Sequence, residues 1–417
     1  MLLASAAVMP AAAKKNKINA PREQDRYVVI LSLDAFRWDL ASKANTPTLD
    51  SLRRAGSYAE TYPCFPSNTF PNHYAMATGL HPNHHGIVNN GFKDRLFGKE
   101  YTMSNRAAVA DPDFYYGEPI WNTAEHQGKL ANIFMWVGSE TVINGRQASV
   151  WTPYSASVPF AQRADWVVEA LHRPVEEIPN LIMWYIEEPD AVMHKTGPDS
   201  KETAAMVERL DSILAYFFSK VKSSPVFDKI DFIITADHGM TETSTERIVD
   251  LWPVLDRSRV RDVAYGTPIG FDVDEDYLDE AFETLSKVEH VTVFKRDEMP
   301  EKYHYGSYKA RICNLLVMPD IHWKVSFRDP DEVRRSAPQT ESNRASVGGA
   351  HGYDPFEKDM SMIFYGSGPH FRKGHTQKPF QSLNIYIILC HLLDIEPAPN
   401  DCDWNAVRKM FVNPKKQ

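Results

Sequence analysis

Short runs of consecutive apolar residues alternate along the chain with stretches in which apolar residues recur every three or four positions. Runs of the first kind are typical of strands that are buried on both faces, and stretches of the second kind are typical of helices. Their alternation predicts an α/β fold in which helices flank a mostly parallel central sheet. The predicted strands are Tyr27–Leu33, Leu130–Trp136, Leu181–Ile186, Asp231–Thr235 and Ser361–Tyr365.

Two segments have the features of helices that pack on this sheet. Pro47–Ala55 begins with a proline and is followed by Gly56, and these residue types often mark the beginning and the end of a helix. In Lys201–Val221, apolar residues recur at helical spacing along one side. We therefore expect both segments to cover a face of the sheet.

The segment from residue 263 to residue 347 has a mixed pattern. It combines a helix-like stretch, Leu278–Lys287, with short strand-like runs, and it ends in a polar, loop-like sequence. We therefore predict a smaller inserted α+β lobe over 263–347, with the catalytic core formed by 27–262 and 348–417. A chain of 417 residues has room for both.

The net charge of the chain argues against some classes of binding partner. The chain has 46 Lys and Arg residues against 55 Asp and Glu residues, a net charge of -9, and it has no long basic run. This composition argues against a nucleic-acid-binding surface and against a binder of anionic membranes. The composition does not argue against a small anionic substrate, because a single site can be locally positive. The oligomeric state is not indicated.

The first residues have the pattern of a targeting segment. Residues 1–13 are almost wholly apolar and end in three alanines before Lys14, Lys15 and Lys17. The run is shorter than the ~20 residues of a membrane span, but it fits an export signal, although no basic residue precedes it. We predict a signal peptide over 1–13, a tail or linker over 14–26, and a periplasmic or secreted protein.

The four cysteines do not form a disulfide scaffold. Only Cys390 and Cys402 are close in sequence, so they are the first candidate pair if the compartment is oxidising. The alternative is that Cys64, Cys313 and these two are buried thiols that pack as small apolar side chains.

Acidic residues and histidines follow the predicted strands. Asp34 follows the first strand, Asp190 the third, and Asp237 with His238 the fourth. The carboxyl ends of parallel strands form the edge at which α/β sheets bind ligands. His194 lies one helical turn after Asp190, so these two side chains can converge on one ion.

A further imidazole comes from His351, in a glycine-rich turn before the last core strand. These six oxygen and nitrogen ligands are enough for two zinc sites, each with one coordination place left for chemistry. Thr69 directly precedes an apolar-periodic segment that begins at Phe70, so it lies at a helix N-terminus, where an anion is favoured. A threonine hydroxyl is a poor nucleophile, but a divalent cation can lower its pKa enough for attack.

In their order and spacing these residues resemble the nucleotide pyrophosphatase/phosphodiesterase family of the alkaline phosphatase superfamily. The resemblance covers almost the whole chain after about residue 26, and TFPNHY, ADHGM and HGYD are its most specific parts. It runs through SLDAFRWD, NTPTLDSL, YPCFPSNTFPNHYAMATGLHPNHHGIVNN, MWVGSE, WYIEEPDAVMHKTGP, TADHGM and GGAHGYDP. It implies an alkaline-phosphatase-like core and two zinc ions per chain.

The resemblance also implies a role for each site residue. Thr69 is the expected nucleophile, Asn90 the residue that holds a phosphate oxygen, and Phe70 and Tyr154 the aromatic rings that sandwich a nucleobase. The implied ligands are Asp190, His194 and His351 for one zinc ion and Asp34, Thr69, Asp237 and His238 for the other.

The chain departs from the family pattern at three positions. The family usually has glycine where this chain has Ala35 and Met193, and proline where it has Val137. None of the three is an implied metal ligand. Because Met193 is next to His194, we expect its larger side chain to narrow the mouth of the site.

The resulting hypothesis is a two-zinc hydrolase of phosphodiester or phosphoanhydride bonds that releases nucleoside monophosphates through a covalent phospho-threonine. A diester is favoured because Asn90 is a neutral donor, whereas a monoester has a further charged oxygen. One alternative is a phosphocholine-type lipid hydrolase, or another phosphate-ester or phosphonate hydrolase, on the same metal core. The other is a secreted metal-binding domain without turnover.

The nearby His81, His84 and His85 lie in a Pro- and Gly-rich loop and are interpreted as structural or surface histidines.

Overall fold

The computed structural model describes residues 26–329, 331 and 346–414. The predicted signal peptide and residues 14–25 of the predicted tail lie outside this part of the chain. The helices are α1 (Pro47–Ala55), α2 (Thr69–Thr78), α3 (Pro82–His85), α4 (Arg106–Val109), α5 (Ile120–His126), α6 (Phe160–Leu171), α7 (Asp190–Thr196), α8 (Lys201–Val221), α9 (Leu278–Leu285), α10 (Ile385–Leu393) and α11 (Trp404–Val407).

The strands are numbered in the same way. They are β1 (Tyr27–Leu33), β2 (Ser57–Tyr62), β3 (Gly91–Asp94), β4 (Lys99–Thr102), β5 (Ala131–Phe134), β6 (Val150–Thr152), β7 (Leu181–Ile186), β8 (Ile230–Thr235), β9 (Thr241–Ser244), β10 (Ile248–Asp250), β11 (Val260–Ala264), β12 (Ile269–Val273), β13 (Val291–Lys295), β14 (Leu315–Pro319), β15 (Lys324–Ser326), β16 (Val347–Ala350), β17 (Met362–Ser367), β18 (His375–Thr376) and β19 (Phe380–Gln381).

The central sheet has the order β18-β2-β17-β8-β1-β7-β5-β6, with β19 also paired to β2. All five strands predicted from continuous apolar runs belong to it. Strands β8, β1, β7, β5 and β6 are parallel, whereas β17 is antiparallel to both of its neighbours, β8 and β2. The sheet is therefore mostly parallel, as predicted, with one reversed strand.

Two apolar layers cover the faces of this sheet. In β1, Val28 and Ile30 pack into the layer that contains α2, α5 and α10, while Val29 and Leu31 pack into the layer that contains α1, α6 and α8. Every residue of β1 is buried. Alternating side chains thus enter opposite layers, which is why the sequence of this strand is a continuous apolar run.

A second, smaller sheet has the order β11-β12-β14-β13, and its strand pairs are antiparallel. Helix α9 packs on it, and the two share an apolar cluster that includes Phe271, Leu285 and Val317. Leu251 and Leu255, which precede the small sheet, also belong to this cluster. The division into a core and an inserted lobe over 263–347 stays a prediction.

A buried arginine joins the segment before β14 to the end of β3. The Arg311 guanidinium donates to Oδ2 of Asp94 (2.6 Å) and to the carbonyl oxygens of Gly86, Phe114 and Asp113. Both charged side chains are fully buried. The N–H donors of Arg311 bond to a carboxylate and to fixed backbone carbonyl oxygens. Because of these bonds, the Arg311–Asp94 ion pair can be buried away from water.

Replacing Arg311 with methionine should lower the free energy of unfolding by about 3–5 kcal/mol, because the Asp94 carboxylate is then buried without its partner. Urea unfolding of the variant and of the natural protein measures the difference. The control is Arg257→Met at an exposed arginine, which should change the free energy by less than ~1 kcal/mol. Equal effects of the two substitutions would contradict this prediction.

The structure also bears on the state of the cysteines and on the presence of a membrane-spanning helix. All four cysteines are free: Cys64, Cys313 and Cys390 are buried and Cys402 is partly buried, so the alternative of packed thiols is the one found. Over the described ranges, no helix combines the length and the apolar character that a membrane crossing requires.

Candidate active site

The three acidic residues expected at strand ends lie at one edge of the central sheet. Asp34 directly follows β1, and Asp237 comes two residues after β8, the parallel neighbour of β1. On the other side of β1, β7 leads through a short turn to Asp190, the first residue of α7. The shared direction of these strands brings the three carboxylates together, as the sequence predicts.

Strand pairing brings His351 to the same edge. Ala350, the last residue of β16, pairs with Thr241 at the start of β9, and β9 begins three residues after His238. The rings of His238 and His351 consequently stack, with centroids 3.8 Å apart and planes 15° apart.

Two glycines in β16 allow this strand to pass close to α7. A Cβ atom on Gly348 would lie 2.7 Å from the carbonyl oxygen of His194, and one on Gly349 would lie 2.7 Å from that of Met193. Met193 itself is fully buried in the apolar layer around α8. The expectation that Met193 narrows the mouth of the site is therefore wrong, because its side chain points into the core.

Asp34, Asp237 and His238 form a first group whose oxygen and nitrogen atoms are close enough to hold a metal ion. Nε2 of His238 lies 3.2 Å from Oδ2 of Asp237 and 3.5 Å from Oδ1 of Asp34, and all three side chains are almost completely buried. The other carboxylate oxygen of Asp237 accepts the backbone N–H of Ala35 (3.0 Å), and the other oxygen of Asp34 accepts the Tyr185 hydroxyl. These bonds orient one oxygen of each carboxylate toward the histidine.

Asp190, His351 and again His238 form a second group. Oδ1 of Asp190 lies 3.8 Å from Nε2 of His351 and 3.3 Å from Nε2 of His194, which is one turn further along α7. The structure thus brings together all six ligands expected from the strand ends. It also places His238 in both groups, whereas the resemblance assigns it to one.

Each of the three histidines has its Nδ1 atom against a backbone carbonyl oxygen. Since a carbonyl only accepts, Nδ1 carries a proton, and Nε2 is the atom turned toward the carboxylates, which is the arrangement common among metal-bound histidines. The acceptors are Gly349 for His194 (3.0 Å), Gly239 for His238 (2.8 Å) and Ser67 for His351 (3.0 Å).

The charges of the site fit a bound cation. Burial and the nearby Asp237 and Asp190 raise the pKa of Asp34 well above its ordinary value, and burial with the neighbouring His238 lowers the pKa of His351 to about 3. Oδ1 of Asp34 and Oδ1 of Asp190 are buried and make no hydrogen bond to any described residue. Carboxylate oxygens and imidazole nitrogens crowded in this way are typical of sites that hold a divalent metal ion.

Thr69 is the first residue of α2, as the sequence predicts, and it lies beside both groups. Its Oγ1 is 3.1 Å from Nε2 of His238, and the residue is 8% exposed. His73, one turn along α2, has Nδ1 3.0 Å from the Thr69 carbonyl oxygen and 3.3 Å from Oδ2 of Asp237. The ring of His73 thus connects the start of the helix to the first group.

Asn90 is tied to the same helix. Its Oδ1 accepts the backbone N–H of Phe70 at 2.9 Å. Because this bond occupies the oxygen, the amide nitrogen of Asn90 is the end that can donate to an anion near Thr69.

The two expected aromatic residues line one cavity next to Thr69. Phe70 and Tyr154 border a space of about 230 Å³, together with Asp34 and Asp190. Tyr154 is 36% exposed, and the backbone N–H of this residue donates to Glu140 (3.2 Å). The cavity therefore connects an apolar wall to the metal-ligand groups.

Three residues of this cavity were not singled out from the sequence. Tyr185 donates a hydrogen bond to Asp34, and a tyrosine one residue before the end of a buried strand was the available signal. Arg106 and Glu140 form an ion pair that also lines the cavity. They come from segments 34 residues apart, and no local pattern connects them.

Comparisons with known proteins agree with this geometry. The sequence model of the family described as type I phosphodiesterase / nucleotide pyrophosphatase matches residues 28–354. Human ectonucleotide pyrophosphatase/phosphodiesterase family member 5 is 31% identical over 382 residues, covering 91% of this chain and 77% of that protein. A venom phosphodiesterase of Crotalus durissus collilineatus is 30% identical over 407 residues, covering 93% of this chain and 46% of that protein.

A solved structure is similar over the same range. Murine ectonucleotide pyrophosphatase / phosphodiesterase 5, as an inactive threonine-to-alanine variant in complex with AMP, superimposes with a TM-score of 0.83 at 29% identity. The match covers 93% of this chain and 100% of the murine chain. The fold is accordingly the alkaline-phosphatase-like α/β fold that the sequence predicts, and the chain belongs to the type I phosphodiesterase / nucleotide pyrophosphatase family.

Proposed function

We propose that the chain is a two-zinc hydrolase of phosphodiester and phosphoanhydride bonds that acts on nucleotides and releases nucleoside monophosphates. The observation that carries the proposal is the position of Thr69. Its hydroxyl lies at a helix N-terminus, 3.1 Å from the histidine shared by two groups of metal ligands, and it borders a cavity with aromatic walls. A binding module without turnover has no use for a hydroxyl at this point.

The residues present fit two zinc ions. Asp190, His194 and His351 would hold one and Asp34, Thr69, Asp237 and His238 the other, and ions bound there would lower the pKa of the Thr69 hydroxyl and offset charge on the phosphate. The three Nδ1–carbonyl bonds support this role, because they fix the rings before any ion binds.

Hydrolysis then takes two in-line steps. Deprotonated Oγ1 of Thr69 attacks phosphorus; the Oγ1–P bond forms, and the bond from phosphorus to the leaving oxygen breaks with its electron pair. The side-chain amide nitrogen of Asn90 donates a hydrogen bond to a non-bridging phosphate oxygen during both steps. The proton that Thr69 loses in the first step ends on the leaving oxygen. A water molecule next attacks phosphorus on the side opposite Oγ1, the Oγ1–P bond breaks with its electron pair, and a proton of the water passes to Oγ1.

A diester is the favoured substrate class. Asn90 is neutral, and Arg106 is the one Arg or Lys among the described residues that line the cavity, with its charge paired to Glu140. A monoester dianion has a further charged oxygen, for which this wall offers no unpaired cation.

The aromatic walls favour a nucleotide. Phe70→Ala and Tyr154→Ala should each raise KM for a nucleotide substrate by roughly 10-fold, because stacking on one ring contributes ~1–3 kcal/mol. Neither substitution should change hydrolysis of a methyl nitrophenyl diester, whose retained group has no ring, by more than about 2-fold. Steady-state kinetics on both substrates measures the difference. Phe97→Ala, at an exposed ring on the β3–β4 hairpin, is the matched control. Equal losses on both substrates would rule out a base-stacking role.

The deciding experiment compares a chromogenic phosphodiester with the matching monoester, with zinc and then with a chelator. We expect hydrolysis of the diester, lost on chelation, with slower hydrolysis of the monoester. Preference for the monoester, or for a phosphocholine ester over a nucleotide, would overturn the substrate class. No turnover of any of them would favour the non-catalytic alternative.

Localisation belongs to the same proposal. The similarity to a venom phosphodiesterase supports a periplasmic or secreted enzyme, and so does the apolar pattern of residues 1–13. The segment 263–347 is likewise proposed to be an inserted α+β lobe, because it contains most of the small antiparallel sheet and helix α9.

A further inference from the structure

The two aspartates of the first ligand group are oriented by different kinds of donor. Asp237 accepts the backbone N–H of Ala35 at 3.0 Å, and this bond involves no side-chain donor. Oδ2 of Asp34 instead accepts the side-chain hydroxyl of Tyr185. The hydrogen bond that orients Asp34 therefore comes from a side chain whose hydroxyl can be removed while its ring is kept.

Strand pairing holds Tyr185 and Asp34 next to each other. Tyr185 lies opposite Ser32 in the parallel pair of β1 and β7, and the backbone N–H of Asp34 donates to the carbonyl oxygen of Ile186 at 2.9 Å. The carbonyl oxygen of Tyr185 also accepts Nη1 of the buried Arg163 at 3.1 Å. The positions of the hydroxyl and the carboxylate are thus set by two central strands of the main sheet.

The ring of Tyr185 lies between two other rings. It contacts the ring of His73 edge to face, with centroids 5.0 Å apart and planes at 90°, and the ring of Tyr154 with centroids 5.9 Å apart and planes at 61°. Tyr185 also lines the catalytic cavity together with these two residues. Because both contacts restrict the ring, its hydroxyl is directed at Asp34 before any ion binds.

The other carboxylate oxygen of Asp34 is the one available to an ion. This Oδ1 atom is buried, makes no hydrogen bond to any described residue, and lies 3.5 Å from Nε2 of His238. The two oxygens of a carboxylate are rigidly linked, so a bond that fixes Oδ2 also fixes the direction of Oδ1. Without that bond the carboxylate is freer to rotate, and the binding of an ion must then remove this freedom.

We propose that Tyr185 is a positioning residue whose hydroxyl holds Asp34 in the orientation that a zinc ion in the first group requires, and so raises the affinity for that ion. The proposal rests on the two-zinc function proposed above. Hydrogen-bond partners of metal ligands typically account for roughly 10- to 100-fold in metal affinity, and we expect an effect of this size. The ring has a separate role as part of the cavity wall.

Zinc content at buffered free zinc tests the proposal. The natural protein, Tyr185→Phe and the control Tyr216→Phe are dialysed at pH 7.5 against a series of free zinc concentrations set by a chelator, and zinc per chain is measured by atomic absorption. Tyr216 also donates its hydroxyl to an aspartate, Asp165 (2.8 Å), but neither residue lines the catalytic cavity. We expect Tyr185→Phe to need roughly 10- to 100-fold more free zinc for full occupancy, and Tyr216→Phe to follow the natural protein.

The zinc curves distinguish two failures. Coincident curves for Tyr185→Phe and the natural protein would overturn the role of Tyr185 and leave the two-zinc function in place. A natural protein that binds no zinc would overturn the two-zinc function and this proposal with it.

Kinetics on the same preparations separate positioning from damage to the fold. Because Tyr185→Phe keeps the ring, KM for a nucleotide should stay within about 2-fold, while kcat at limiting free zinc should fall and added zinc should restore it. A loss of kcat that added zinc does not reduce would overturn the proposal, because the hydroxyl would then support the fold. A higher KM with unchanged zinc binding would also overturn it, because the hydroxyl would then contact the substrate.

Discussion

Thr69→Ala should reduce hydrolysis of a phosphodiester by roughly 10³-fold or more while the protein keeps its zinc. The substitution removes the oxygen that forms the covalent bond to phosphorus, but it leaves six carboxylate and imidazole ligands in place. The measurement pairs kcat on a chromogenic diester with zinc content on the same preparation.

Thr69→Ser is the matched control, because it keeps the hydroxyl and changes only a methyl group. We expect this variant to retain measurable turnover and to form a phosphorylated serine that is stable to acid quenching. An alanine variant within 10-fold of the natural rate would exclude Thr69 as the nucleophile. Loss of zinc in parallel with activity would instead mean that Thr69 acts mainly as a ligand.

Local patterns predicted much of the fold. Helices α1 and α8 begin and end where the proline, the glycine and the apolar spacing place them, because these signals act within one or two turns. Strands β1 and β7 have the predicted bounds, since they are central strands and each needs apolar residues on both faces.

The direction of β17 could not be predicted in the same way. A continuous apolar run indicates burial on both faces, and it contains nothing about whether the neighbouring strands run parallel or antiparallel. β17 pairs antiparallel with β8 and β2 because of where the chain returns to the sheet, which depends on distant connections.

The residues of the candidate site also differ in whether the sequence could predict their positions. Residues at strand ends, such as Asp34 and Asp237, could be found because the edge of a parallel sheet brings strand ends together. The contact between Arg106 and Glu140, by contrast, joins the start of α4 to a distant loop, and its position depends on how these two segments pack beside the cavity. The sharing of His238 between the groups depends on side-chain directions that spacing does not specify.

The position of His238 in both groups predicts a second large loss of activity on substitution. His238→Ala should lower zinc content by up to two ions per chain and reduce diester hydrolysis by about 10²- to 10⁴-fold, because Nε2 of this residue lies among the ligands of both groups. His351→Ala removes a ligand of the second group alone and should lower the zinc content by one ion per chain. Atomic absorption on both variants separates the cases.

The comparison of these two variants decides how the site is built. If His238→Ala loses no more zinc than His351→Ala, His238 serves one ion, as the family resemblance implies, and the stacking of the two rings at 3.8 Å is only a packing contact. If it loses more, the two groups are coupled through this imidazole. In that case, occupancy of one group should depend on the other, and zinc titrations of the natural protein should show cooperative binding, because one ring then orients the ligands of both ions.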